Sequence, residues 1–197
     1  LPFIDQKDIE AAQEINRLVV EALKKKTGEG YKGILYGGYM ATVDGVRVIE
    51  FNARFGDPEV LNLLSLLETD IIDICEAIGN GSLDTVDVSF KKQASVCKYT
   101  VPEGYPEHPE KGFLVNIAEV EKPDQLFLGA VDLRENQLLA TGSRTAAVVG
   151  LANTIEEAEI EAETLINQIK GKLFHRPDIG TSELIDKRVQ HMNALRG

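Results

Sequence analysis

Glu50, Asn52 and Arg54 are spaced by two residues, and successive side chains of a strand point to opposite faces, so these three share one face while Phe51 and Ala53 share the other. Glu50 and Asn52 offer oxygen donors of the kind Mg²⁺ accepts, and Mg²⁺ commonly combines one or two protein oxygens with substrate phosphates and water. Arg54 adds a planar cationic fork that can hold phosphate or carboxylate oxygens and neutralise charge as a phosphoryl group moves. Gly56-Asp57-Pro58-Glu59 follows as a tight loop running into a helix, which brings backbone amides and two carboxylates beside the expected metal. Spacing alone fits a solvated strand edge equally well. Together with the loop it points to metal-assisted phosphoryl transfer or anion binding.

The elements that must position these residues are legible from periodicity. Ile9, Ala12, Ile15, Val19 and Leu23 recur at helical spacing, predicting a helix from Lys7 to Lys26 capped by Asp5. Gly33 to Thr42 and Val46 to Asn52 read as antiparallel strands joined at Asp44-Gly45, a dipeptide suited to the positive φ angles of a tight hairpin. Val60, Leu61, Leu63, Leu64 and Leu67 suggest a helix after Pro58, and Ile71, Ile74, Cys75 and Ile78 another ending at Gly79. Turn-rich residues around Asn80-Gly81-Ser82 then mark a boundary, dividing the chain into residues 1–84 and 85–197. The second part is expected to be mostly β, with strands at Ala94 to Val101, Phe113 to Val120, Leu126 to Leu133, Leu138 to Gly142 and Ala146 to Leu151. A helix from Ile155 to Ile169 follows, opened by the capping box of Thr154 and Glu157. The fold class is α+β.

Composition excludes several functions. The 197 residues are 43% hydrophobic and 27% charged, an ordinary globular balance, and no apolar run approaches the roughly 20 residues of a membrane helix. The start LPFIDQKDIEAA has no secretory pattern, so a cytoplasmic location is expected, with no membrane partner. A formal net charge of -11 would repel a phosphate backbone, so nucleic acid is not an expected partner. Lys24, Lys25 and Lys26 suit the negative end of a helix dipole. Cys75 and Cys97 read as buried thiols, and His108, His175 and His191 lack metal-ligand spacing and read as exposed. Gly37 and Gly38 match no phosphate-binding fingerprint and read as sites of close packing.

The string Arg54-Phe55-Gly56-Asp57-Pro58-Glu59 after Glu-Phe-Asn resembles the signature of the phosphoribosylamine–glycine ligase family, and the hairpin YKGILYGGYMATVDGVRVIEFNARFGDPE resembles it throughout. The VPEGYP, TGSRTAAVVGLANTIEEA and FHRPDIG segments are similar to the family's C-terminal region in the expected order. The resemblance implies the second half of an ATP-grasp module, an antiparallel sheet with helices, followed by a small β-rich domain with a packed helix. It implies an ATP-dependent ligase of purine synthesis that joins glycine to 5-phosphoribosylamine through glycyl phosphate. Residue by residue it implies Glu50 and Asn52 as ligands of Mg²⁺ or Mn²⁺, Arg54 as stabiliser of the transferring group, and Gly56, Asp57 and Glu59 on the substrate side. Arg144 is a minor candidate, from a similar Gly-Arg turn. Leu61 departs from the family, which usually carries Gln there. The family's N-terminal half, with the phosphate-covering loop and lysines, is the expected partner. The chain alone is therefore expected to be inactive, and a monomer or weak homodimer. The alternatives are a non-catalytic nucleotide- and metal-binding fragment, or a carboxylate-amine ligase with another acceptor.

Overall fold

The computed structural model describes all residues from Leu1 to Gly197. They form two compact units, one of Leu1–Val60, Leu67–Phe90 and Ile185–Gly197, the other of Leu61–Leu66 and Lys91–Leu184. Helices and antiparallel strands are mixed in the α+β manner expected.

In the first unit, helix α1 (Gln6–Thr27) opens on the reciprocal cap in which Asp5 Oδ1 accepts from the Asp8 amide at 2.9 Å and Asp8 Oδ2 from the Asp5 amide at 3.2 Å. It stops at Gly28, whose φ of 83° turns the chain left-handed, with Lys24, Lys25 and Lys26 in the last turn. Strands β1 (Tyr36–Thr42) and β2 (Gly45–Asn52) form an antiparallel hairpin. β1 starts three residues later than Gly33, because Gly33 sits at φ 151° and the Ile34 carbonyl is taken by the Tyr31 hydroxyl at 2.8 Å. At the turn only Gly45 supplies a positive φ, 97°, and Asp44 does not. Helix α2 (Glu59–Leu66) starts in this unit and belongs to the other from Leu61 on, and α3 (Ile71–Asn80) is capped by Asp70 and ended by Gly81 at φ 74°, so Gly79 lies inside the helix rather than at its end.

In the second unit, strands β3 (Ala94–Pro102), β5 (Leu126–Leu128), β8 (Ala146–Ala152) and β9 (Leu173–Phe174) form a sheet in the order β5-β8-β3-β9. Strands β4 (Leu114–Val115), β6 (Val131–Arg134) and β7 (Gln137–Ala140) form a second sheet in the order β4-β7-β6. The expected strand from Phe113 to Val120 shrinks to Leu114 and Val115, and the run from Leu126 to Leu133 breaks in two at Gly129. That glycine is needed, since a Cβ there would lie 2.5 Å from the Arg144 carbonyl oxygen. Helix α4 (Ile155–Ile166) opens on the Thr154–Glu157 box and buries Ala158, Ala162, Leu165 and Ile166 against Val96, Ala146 and Val148. Helix α5 (Ser182–Arg196), which belongs to the first unit from Ile185 on, was not expected. Leu184, Ile185, Val189, Met192 and Leu195 carry the helical spacing, but charged residues dominate between them. Arg196 pairs with Asp5 at 3.5 Å and with Asp8.

Two features organise the second unit. Gly150 lets α4 approach β8, because a Cβ there would lie 1.9 Å from the Ala158 carbonyl oxygen and 2.7 Å from the Ala162 nitrogen. The other is Lys98, on the inward parity of β3 between Val96 and Thr100 and only 2% exposed. A buried ammonium is tolerated only when paired and hydrogen-bonded. Its Nζ donates to Glu159 Oε1 at 2.6 Å and Glu163 Oε2 at 2.5 Å on α4, and to the Pro177 carbonyl at 2.9 Å. His175 Nε2 lies 3.1 Å from both Glu163 oxygens. Burial alone would raise the Glu163 carboxyl, but hydrogen bonds from Lys98, Asn167 and His175 and the Lys98 charge outweigh it and hold the group near 2. Cys75 is exposed, not buried, because α3 turns Ile74 and Ala77 inward instead, and Cys97 is half-buried on the outward parity of β3.

The Gly150→Ala change forces backbone against backbone and should destabilise the protein by about 3 kcal/mol or more in urea unfolding. A loss below about 0.5 kcal/mol would contradict the close approach. Glu163 has a folded-state pKa below its ordinary value of 4.5, so its stabilisation is complete above about pH 4.5 and is lost as pH falls toward about 2. Thermal midpoints measured across that window should fall less steeply in Glu163→Gln than in the parent; parallel slopes would count against the pairing.

Candidate functional site

The hairpin β1–β2 builds the site through its register. Tyr36 faces Asn52 and Gly38 faces Glu50, but Tyr39 faces Val48, so Ile49 is an extra residue without a partner. Such a bulge resets which side chains share a face. Tyr36, Gly38, Met40, Arg47, Glu50 and Asn52 therefore lie on one face, and Tyr39, Val46, Val48 and Phe51 on the other. An unbroken ladder would have put Val46 and Val48 beside Glu50. The apolar face is held by the edge-to-face contact of Tyr39 and Phe51, centroids 6.2 Å apart, and by the Tyr39 hydroxyl donating to Asn16 Oδ1 of α1 at 2.8 Å. A two-stranded hairpin needs such a helix to be stable in water.

Glu50 is exposed at the centre of the polar face, and Asn52 Nδ2 donates to Glu50 Oε1 at 2.9 Å. That bond turns the Asn52 carboxamide so that its Oδ1 remains a free oxygen donor beside the carboxylate. Both fit a hard cation, yet no group of three His, Cys, Asp or Glu side chains could hold a metal unaided. A cation here would need oxygens from a ligand such as phosphate. Arg54 does not continue the alternation. β2 ends at Asn52, the last residue paired with β1, and Arg54 lies in a bend where its Nη1 donates to the Phe55 carbonyl at 2.6 Å. It sits beside the polar face as part of the loop.

Gly56 is buried, and a Cβ on it would lie 2.5 Å from Glu59 Oε2 and 2.7 Å from Tyr36 Cε2. Asp57 is exposed, and its bond to Pro58 is cis. Glu59 begins α2, and its Oε1 accepts from the Tyr36 hydroxyl at 3.1 Å. Glu50, Asn52, Arg54, Gly56, Asp57 and Glu59 are thus gathered on one strand end and its following loop. Gly37 is a site of close packing, since a Cβ there would meet the Tyr39 ring at 2.6 Å.

Residues outside this cluster sort differently. His108 and His191 are exposed, but His175 is half-buried and bonded to Glu163. Arg144 lies 5.5 Å from the Tyr99 ring centroid in the second unit. Sequence reasoning missed Tyr36 and Lys98. A lysine at an apolar parity of β3 was the available signal for one, and the two-residue offset from Gly38 for the other.

Comparison with known proteins gives the class, an ATP-grasp domain for the part of the chain that carries this strand end and loop. Residues 1–60 match the ATP-grasp (A) domain of phosphoribosylglycinamide synthetase, and residues 95–182 match its C domain. Phosphoribosylamine–glycine ligase of Methanocaldococcus jannaschii is 49% identical over 100% of this chain and 45% of its own length. The Methanosarcina barkeri enzyme is 48% identical over 100% of the chain and again 45% of its own length. A solved phosphoribosylamine–glycine ligase from Thermotoga maritima superposes with a TM-score of 0.67 at 27% identity, covering 79% of this chain and 39% of that one. The chain belongs to the phosphoribosylglycinamide synthetase family. It spans less than half the length of the curated relatives it matches. Metal use is general among ATP-grasp ligases. No helix is long and apolar enough to cross a membrane.

The Gly56→Ala change should push Glu59 from Tyr36 and lengthen their 3.1 Å contact beyond hydrogen-bond range in a crystal structure, at a cost of about 1–3 kcal/mol. An intact contact would show that the loop has room to spare.

Proposed function

We propose that the chain supplies one wall of the active site of a ligase that joins glycine to 5-phosphoribosylamine, giving glycinamide ribonucleotide, ADP and phosphate in purine synthesis. The observation that carries the reading is the Glu50–Asn52 pair, bonded at 2.9 Å on the polar hairpin face and running into the Arg54–Glu59 loop. The names of the relatives supply glycine and phosphoribosylamine. On this reading residues 1–84 close an ATP-grasp module, 85–197 form the β-rich domain, and the enzyme works in the cytoplasm with the remainder of its module as partner.

In the reaction, a glycine carboxylate oxygen attacks the γ-phosphorus of ATP and ADP leaves, forming glycyl phosphate. The amine of phosphoribosylamine then attacks the acyl carbon, phosphate departs and the amine gives up a proton. No protein nucleophile takes part, so the chain contributes positioning and charge. Mg²⁺ or Mn²⁺ held by Glu50 and Asn52 would neutralise phosphate charge. Arg54, tethered to the Phe55 carbonyl, directs its remaining donors at the transferring group. Gly56 keeps the loop tight, and Asp57 and Glu59 offer carboxylates to the amine and hydroxyl groups of the substrates.

The test is product formation by an enzyme of the relatives' full length carrying this chain. Glu50→Ala and Asn52→Ala should each lower kcat/KM by about 10²-fold or more, since each removes an oxygen from the cation. Turnover equal to the parent's in both variants would refute the metal assignment. Preference for an amine other than phosphoribosylamine would keep the ATP-grasp chemistry and change the acceptor.

A further inference from the structure

Tyr36 stands across the ladder from Asn52, on the polar face that also carries Gly38 and Glu50. Its ring reaches in two directions. The Cε1 edge lies 3.7 Å from the position a Cβ would take on Gly38, and the Cε2 and Cδ2 edge lies 2.7 and 2.9 Å from that position on Gly56. A Cβ on Gly38 would make only an ordinary contact with the ring, whereas one on Gly56 would collide with it, so the loop glycine is the one that makes room for the ring. Beyond the ring, the hydroxyl donates to Glu59 Oε1 at 3.1 Å, while Glu59 Oε2 lies 2.5 Å from the same Gly56 Cβ position. Tyr36 therefore touches the loop at both of its ends, and it stands opposite Asn52 and near Glu50 on the same face.

The electrostatics agree with this placement. Burial, the bond to Glu59 and the charges of Glu59 and Glu50 raise the phenol above its ordinary value, with the Arg54 charge opposing. The hydroxyl accordingly stays protonated through the neutral range and remains a donor to Glu59.

We propose that Tyr36 is a positioning residue of this site. Resting on the functional reading above, it holds the Glu59 carboxylate and the Gly56–Glu59 loop against the Glu50–Asn52 pair. Glu59 is thereby presented to an amine or hydroxyl of the substrate. Without the hydroxyl, Glu59 is a surface carboxylate on the first turn of a helix, free to swing into water and lose rotamer entropy only when substrate arrives.

The decisive variant is Tyr36→Phe in the full-length enzyme, because it removes the hydroxyl and keeps the ring over Gly56. KM for glycine or for phosphoribosylamine should rise about tenfold, as expected for losing a hydrogen bond to a charged group, while kcat stays within about twofold. Mn²⁺ affinity followed by water-proton relaxation should not change. In a Glu59→Gln background, Tyr36→Phe should add less than about twofold, since the two residues act as a unit. Unchanged KM values, fully additive effects, or a lower thermal midpoint with intact kinetics would each overturn the proposal. An enzyme that forms no product defeats the functional reading alone, and Tyr36 is then judged on the loop. Exchange of the Val60 amide, bonded to the Gly56 carbonyl at 3.0 Å, should quicken about tenfold in Tyr36→Phe while Val46 at the far end of the hairpin does not. Equal exchange at Val60 in variant and parent overturns the positioning role.

Discussion

In an antiparallel hairpin, parity decides which side chains can meet, and the unpaired Ile49 resets that parity partway along β2. The first unit depends on this one irregularity. Before it, Val46 and Val48 pack on the side of Tyr39 and Phe51; after it, Glu50 and Asn52 emerge on the opposite side. The apolar face can then rest on α1 while the polar face stays open for a ligand. Ile49 itself is left 61% exposed, which is the local cost of serving both requirements with one strand.

The second unit meets a different constraint with a similar economy. A helix lies so close to β8 that only glycine fits at position 150, and the sheet beneath presents a lysine to that helix instead of an apolar side chain. Replacing water around an ammonium takes several partners at once, and Lys98 receives two carboxylates and a backbone carbonyl. The Pro177 carbonyl belongs to the segment leading to α5, so the charge cluster also fixes where that segment runs. Loss of any one of these partners would leave the buried ammonium less well compensated.

Between these parts lies a difference in how each residue earns its position. Glu50 and Asn52 stand on backbone paired in the ladder, whereas Arg54 and Glu59 lie beyond the last pair and rely on side-chain contacts to the Phe55 carbonyl and the Tyr36 hydroxyl. Groups that hold a cation profit from the first kind of support. Groups that must adjust to an arriving substrate can use the second.

By itself the sequence determined what depends on near neighbours along the chain: the Asp5 and Thr154 caps, the hairpin around Gly45, the grouping of Glu50 with Asn52, the α+β class and the family resemblance. These follow from side chains reaching the backbone three residues away or alternating along one strand. Even the bulge left a trace, because Val46 and Val48 keep even spacing while Phe51 follows after an odd step. Only the tertiary structure decided what Arg54 meets beyond the last paired residue, where its guanidinium turns to the Phe55 carbonyl. The same holds for the split at Gly129, set by the approaching Arg144 carbonyl, and for Cys75 facing outward. It holds above all for Lys98 and Tyr36, whose partners Glu163 and Glu59 stand 65 and 23 residues away. Contacts across such distances form only when the chain has folded back on itself, and no local pattern encodes them.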